Sequence, residues 1–142
     1  MPNPHPLIVH FPIALLTVSF LFDLAGIALK NEHLHRTAWW MLVCGIIGLA
    51  GAVTSGIFAG QSVAIPTEAT GHFEIHEGMA FVAAALSAIV FFWRVSHRTA
   101  FPENRRAVYL LLTLAALTAV WIGAWYGGEL VYTAGVGIKV VP

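Results

Sequence analysis

Hydrophobic positions along the chain fall into four long runs separated by short polar stretches. The runs cover about residues 7–29, 38–59, 78–95 and 107–127. A helix of roughly 20 apolar residues crosses the hydrocarbon core of a bilayer, and none of the runs shows the period-2 alternation of a half-buried strand. The pattern therefore predicts four transmembrane helices. Because the third run is the shortest, we expect its helix to begin earlier, at about residue 72.

Composition supports a membrane protein. Of the 142 residues, 58% are hydrophobic and 10% are charged, whereas a soluble domain carries about 25% charged residues. The length suits one domain, so we predict an all-α integral membrane four-helix bundle over residues 1–142, with a tail at 128–142. The formal net charge of zero argues against a nucleic-acid partner. We expect the helices to be surrounded by membrane lipid.

The basic residues predict a direction in the membrane. Six of the seven Lys and Arg residues lie on one side, near the loops at about residues 30–37 and 96–106, and Lys139 in the tail is the exception. The positive-inside rule makes that side cytoplasmic and places both termini outside. Trp93 and Arg94 are then predicted to anchor the inner end of the third span at the membrane interface.

Four histidines fall on the predicted outer side: His5, His10, His72 and His76. The first and third spans run in the same direction, so depth can be compared by counting residues at 1.5 Å each. This comparison predicts a deeper layer of His10 with His76 and a shallower layer of His5 with His72. The other three histidines lie among charged loop residues and are expected to be solvated: His33, His35 and His97.

Imidazoles at the mouth of apolar helices need polar partners. The leading hypothesis is a b-type haem with His10 and His76 as axial ligands, and with His5 and His72 as a second pair or as supporting residues. Two imidazole ligands leave no open iron position, which favours electron transfer over catalysis. Whether the protein is an enzyme stays uncertain. The expected contacts for the propionates are Lys139, Tyr126, Tyr132 and Thr70.

Two alternatives remain open. The same histidines with Glu68 could bind a divalent metal, zinc or copper, because His-x-x-x-His puts two imidazoles on one helix face. Alternatively, the protein is a structural or assembly subunit without a cofactor. In that case the histidines would cap helix ends and bond to nearby carboxylates.

Asp23 and the small residues add further expectations. Asp23 lies in the inner half of the first span, where we expect it to pair with Lys30 or Arg36, with a proton relay as the alternative. Small residues recur every four positions, a spacing typical of close helix packing. They could serve helix contacts, a flat cofactor or a homo-oligomer, and they are Gly48, Ala52, Gly56, Gly60, Ala115, Ala119, Gly123 and Gly127.

The glycine pair at 127–128 is expected to end the fourth helix. The remaining tail, 128–142, is too short to cross a membrane. We expect it to fold back as a lid over the histidines. Glu129 would then be a hydrogen-bond partner for His5 or His72.

Three segments together resemble the DUF2231 family of small bacterial four-span membrane proteins. They are HPLIVHFPI at 5–13, FDL at 22–24 and GGELVYTAGVGI at 127–138. The resemblance implies a location in the bacterial inner membrane. Because members are sometimes joined to Rieske or c-type cytochrome modules, it also implies electron transfer with a separate redox protein on the outer face. The family pattern has one histidine at the head of the third span, and of His72 and His76 we favour His76 because it lies deeper.

Overall fold

The computed structural model describes residues 4–137, and this part of the chain is helical without strands. The helices are α1 (His5–Ile8), α2 (His10–Leu29), α3 (Glu32–Ser62), α4 (Thr70–Ser96) and α5 (Arg106–Tyr132). Short 3-10 turns at Thr67–Ala69 and Glu103–Arg105 precede α4 and α5. The all-α prediction is confirmed.

Four helical segments are long and apolar enough to cross a membrane. They are His5–Leu29, Glu32–Ser62, Thr67–Ser96 and Glu103–Tyr132. Each is longer than its apolar run, because polar residues continue the helix beyond the hydrophobic core at one or both ends. Dense prolines do not prevent helix at His5. The first backbone N–H groups of a helix have no partner within it, so Pro6 removes nothing that α1 needs.

The turn between α2 and α3 is only two residues long. Lys30 adopts a left-handed conformation with φ 50° and ends α2. Asn31 then caps α3 by accepting a hydrogen bond from the backbone N–H of His33 at 2.9 Å. Because α3 begins at Glu32, His35 lies within the first turns of a transmembrane helix rather than in a loop.

The helices pack as two antiparallel hairpins. α2 packs most extensively against α3, and α4 against α5, while α3–α4 and α2–α5 contacts join the two hairpins. The core runs along the bundle axis through large apolar side chains, among them Leu16, Leu42, Leu49, Val90 and Leu117. The bundle has a histidine end, which contains His5, Ser55, His76 and Gly127. It also has an arginine end, which contains Asp23, His35, Arg94 and Tyr109.

The glycine ridges face neighbouring helices of the same chain. A Cβ on Gly48 would lie 3.1 Å from Pro12, one on Gly60 would lie 3.0 Å from Phe73, and one on Gly123 would lie 3.4 Å from Met79. These positions therefore serve helix contacts inside the bundle. The homo-oligomer through these ridges stays a prediction, since the contacts of these three glycines lie within one chain.

The glycine pair at 127–128 does not end the last helix, which continues to Tyr132. The side chain of Glu129 accepts a hydrogen bond from the Thr133 hydroxyl at 2.8 Å instead of bonding to a histidine. The predicted lid begins only after this helix, and Lys139 with the rest of residues 138–142 lies outside the described residues.

Candidate functional site

Two imidazoles meet at the histidine end, one from α1 and one from α4. The ring centroids of His5 and His76 are 5.9 Å apart, and the ring planes are nearly perpendicular at 82°. Both side chains are half-buried. The first and third spans thus bring two imidazoles into an edge-to-face contact.

Each of these imidazoles is oriented by a hydrogen bond at Nδ1. His76 Nδ1 donates to the carbonyl oxygen of Gly123 at 2.7 Å. A carbonyl only accepts, so the lone pair of the neutral His76 ring lies on Nε2. His5 Nδ1 lies 3.1 Å from the Ser55 hydroxyl, which donates its own hydrogen to the Ala52 carbonyl at 3.0 Å. The serine oxygen therefore accepts from His5.

Two glycines provide the space that these rings occupy. A Cβ added to Gly127 would lie 2.9 Å from Cε1 of His76, and one added to Gly56 would lie 3.0 Å from Cε1 of His5. Separations this short require a neighbour to move. The absence of side chains at these two positions is therefore a condition for the observed ring orientations.

The structure pairs His76 with His5 and leaves His10 exposed on α2. The predicted layer of His10 with His76 is replaced by His5 with His76. Five residues rotate a helical side chain by about 140°, so His5 and His10 face different directions. His72 lies about one helical turn before His76, and its ring is 5.4 Å from that of Tyr126.

The larger metal site anticipated from the sequence is not assembled. Glu68 is exposed. Within residues 4–137, no three His, Cys, Asp or Glu side chains are grouped so that they could hold a metal ion. The histidine end therefore offers a pair of imidazoles rather than a tetrahedral set of ligands.

A second polar cluster lies at the arginine end, and it is buried. Arg94 is 0% exposed and Asp23 is 1% exposed. Arg94 Nη1 donates to Asp23 Oδ1 at 3.2 Å and to Oδ2 at 3.0 Å. Its Nη2 donates to the backbone oxygen of His35 at 2.9 Å, and its Nε donates to that of Thr99 at 3.3 Å. The arginine thus joins three spans and one loop.

His35 and Tyr109 complete this cluster around Asp23. His35 Nδ1 lies 2.8 Å from Asp23 Oδ1, and the ring stacks on Phe101 at 4.1 Å. The Tyr109 hydroxyl donates to Asp23 Oδ2 at 3.2 Å and accepts from Arg94 at 3.2 Å. Each of the four spans therefore contributes one side chain to a hydrogen-bonded cluster around the Asp23–Arg94 ion pair.

The contacts predicted for these residues are wrong, while a proton relay at Asp23 stays a prediction. Asp23 pairs with Arg94, whereas Lys30 and Arg36 are exposed. Arg94 is not an interfacial anchor, and His35 is not solvated, because each is enclosed by the bundle. An arginine or aspartate buried among apolar helices needs a partner of opposite charge, and here each supplies it for the other.

The two clusters lie at opposite ends of the same pair of parallel helices. His5 precedes Asp23 by 18 positions, and His76 precedes Arg94 by 18 positions. At 1.5 Å per residue, each separation is about 27 Å. This is close to the hydrocarbon thickness of about 30 Å, so the clusters suit the two boundaries of one bilayer.

Comparison with known proteins gives a family for the chain. The family model described as "Predicted membrane protein (DUF2231)" matches residues 2–140. No curated protein and no solved structure matches the chain. The match covers nearly the whole sequence, and the four apolar helices fit that description. The protein belongs to the DUF2231 family of membrane proteins.

Proposed function

We propose that the protein is a small b-type membrane cytochrome that transfers electrons, in which His5 and His76 would hold the haem iron. One observation carries the proposal: the two imidazoles come from different spans, and their centroids are 5.9 Å apart. A metal–imidazole bond is about 2 Å long, so two imidazoles at this separation could both bind one metal ion.

The hydrogen bonds at Nδ1 support the same assignment. A histidine that ligates a metal through Nε2 typically donates its other N–H to a carbonyl or another acceptor, which sets the tautomer and the ring orientation. His76 has this arrangement with the Gly123 carbonyl, and His5 bonds through Nδ1 to Ser55. Gly127 and Gly56 leave the room in which the two rings keep these orientations.

The number of ligands favours haem over zinc. A zinc site takes three or four protein ligands, and the described residues group no three suitable side chains. Haem brings four porphyrin nitrogens and needs two imidazoles from the protein. When bound, it supplies one-electron chemistry, and bis-imidazole ligation keeps oxygen from the iron.

The residues at the histidine end determine which groups could contact the haem propionates. In residues 4–137, all lysines and arginines lie toward the arginine end. Hydroxyl groups such as those of Tyr126 and Thr70 would be the donors for the haem propionates at this end. This setting suits exchange of electrons with a separate redox protein at that face of the membrane.

The basic residues support a direction for the bundle. Arg94 is neutralised by Asp23, but the other five basic residues of the described part remain exposed near the arginine end. By the positive-inside rule this end faces the cytoplasm, and the histidine end faces outward. The proposed location is the bacterial cytoplasmic membrane, with both termini outside.

The decisive experiment is an absorption spectrum of the detergent-purified protein, oxidised and then reduced with dithionite. A reduced α-band with a shifted Soret band is expected, and both should be lost in His5→Ala and in His76→Ala. His10→Ala is the matched control and should keep the spectrum, since His10 is exposed. A colourless protein after expression with ample haem would refute the proposal. Loss of the bands in His10→Ala but not in His5→Ala would refute the assignment of ligands.

A further inference from the structure

An open cleft lies at the arginine end, on the far side of the bundle from the imidazole pair. It is bounded by the first turns of α3 and by the loop after α4, and its volume is about 550 Å³. Small-molecule sites typically enclose about 300–1,000 Å³. Buried Arg94 and the ring of Phe101 border it on the protein side.

The charge at this cleft is positive. Arg36 from α3 and Arg98 from the loop line it and are exposed, and Glu32 is the one carboxylate among its lining residues. Within residues 4–137, neither arginine forms an ion pair with a carboxylate. The N-terminus of α3 adds the positive end of a helix dipole. Two guanidinium groups from separate elements therefore face one opening.

The backbone that carries Arg98 is held by the buried cluster beneath it. Arg98 and Thr99 both adopt left-handed conformations, with φ of 54° and 67°. Two adjacent non-glycine residues in this strained conformation persist only where surrounding contacts hold them. The N–H of Thr99 donates to the Arg94 carbonyl at 2.8 Å, and Arg94 Nε donates back to the Thr99 carbonyl at 3.3 Å. These bonds hold the backbone in the conformation that places Arg98 among the residues lining the cleft.

Two indoles indicate the depth at which the cleft opens. Trp39 and Trp40 line it, and Trp40 is 58% exposed. Trp39 is braced by stacking on Phe91 at 5.3 Å. Tryptophan is enriched at the level of the lipid headgroups, where its ring meets apolar chains and its N–H meets water. The arginines and the indoles together suit a ligand at the membrane surface.

We propose that this cleft binds a phosphate group, with Arg36 and Arg98 as its ligands and an anionic phospholipid headgroup as its source. Guanidinium groups match the geometry of phosphate oxygens, and basic pockets between transmembrane helices bind such headgroups. A soluble phosphate compound has the same chemistry and is the other source that the experiment must distinguish. The inference is independent of the proposed cytochrome.

The test uses the full chain in nanodiscs that contain phosphatidylglycerol and phosphatidylcholine in equal amounts, with retained lipid counted by native mass spectrometry. Preferential retention of phosphatidylglycerol is expected. It should fall about fivefold for each of Arg36→Gln and Arg98→Gln. Arg105→Gln is the matched control, because Arg105 is exposed at the same end but does not line the cleft. Its retention should be unchanged.

A second arm adds inorganic phosphate to the protein in phosphatidylcholine nanodiscs and measures binding by calorimetry. Binding of phosphate that is lost in Arg36→Gln and Arg98→Gln, without enrichment of phosphatidylglycerol, would support the site and identify a soluble source. Equal loss of lipid in the Arg105→Gln control would overturn the proposal, since diffuse charge would then explain retention. Failure of both probes to distinguish wild type from the two variants would also overturn it. Thermal unfolding of each variant checks that the fold is intact.

Discussion

The two ends of the bundle differ in how deeply their polar side chains are buried and in the partners that these side chains have. At the arginine end, Asp23 and Arg94 are enclosed, and each has several partners drawn from all four spans. At the histidine end, His5 and His76 are half-buried, bond through Nδ1 to Ser55 and to the Gly123 carbonyl, and rest against glycines. A buried ion pair cannot lose one member without leaving a costly charge. The half-buried imidazole pair is where we propose that a ligand binds, so the comparison contrasts a stabilising end with a proposed binding end.

The largest effect is expected from Arg94→Leu. This change leaves Asp23 buried without its cation, and breaking a buried pair in this way costs about 3–5 kcal/mol. Unfolding in detergent, followed by circular dichroism against added SDS, should show a loss of this size in the free energy of unfolding.

The matched control for Arg94→Leu is Arg106→Leu, an exposed arginine at the same end. It should change the free energy of unfolding by less than about 0.5 kcal/mol. The double variant Asp23→Leu with Arg94→Leu should recover much of the loss, because it removes both charges. Equal losses in Arg94→Leu and Arg106→Leu would contradict a special role for the buried pair.

A smaller loss is expected from Tyr109→Phe. The hydroxyl donates to Asp23 and accepts from Arg94, both at 3.2 Å. Removing it deletes two bonds to charged groups but leaves the ion pair intact, so the cost should be about 2 kcal/mol. The same unfolding assay applies. A loss as large as that of Arg94→Leu would mean that the hydroxyl, rather than the ion pair, governs this end.

At the histidine end, Gly127→Ala and Gly128→Ala form a matched pair. A Cβ at Gly128 meets nothing within 4 Å, whereas one at Gly127 would lie 2.9 Å from the His76 ring. Alanine improves helix propensity by up to about 1 kcal/mol, so Gly128→Ala should be neutral or stabilising. Gly127→Ala should be about 1 kcal/mol less stable than Gly128→Ala, because His76 must move and its bond to Gly123 weakens. Identical stabilities would show that the ring tolerates displacement.

Once the buried face of each helix is known, its heptad spacing identifies the histidine pair. The buried residues of α4 recur at spacings of four and three: Ala83, Ser87, Val90 and Arg94. Seven positions before Ala83 lies His76, whereas His72 falls outside this pattern. In α2 the buried residues are Pro12, Leu16, Ser19, Asp23 and Gly26. Seven positions before Pro12 lies His5, and His10 is again excluded. Depth alone selected His10, because it ignores the helix face.

The sequence was sufficient to predict the spans but not the contacts between them. The four spans followed from hydrophobicity, since a bilayer demands long apolar helices. The partner of Asp23 did not, because several basic residues lie near its predicted depth, and only the arrangement of all four helices brings Arg94 of α4 to Asp23 of α2. Gly127 looked like a helix end, yet it continues α5 and makes room for an imidazole contributed by α4. Such contacts join residues far apart in sequence and leave no local signal.

The smallest effect is expected midway between the ends, at Ser87. Its side chain is as buried as that of Ser19, since both are 2% exposed. Ser19 Oγ donates to the Ala38 carbonyl at 2.8 Å, whereas Ser87 Oγ has no hydrogen-bond partner within the described part of the chain. Ser19→Ala should therefore cost about 1 kcal/mol, while Ser87→Ala should be neutral or slightly stabilising. Equal costs in the unfolding assay would contradict this reasoning. They would also weaken the comparison of the two ends, which depends on partners rather than burial deciding what a polar group in this bundle contributes.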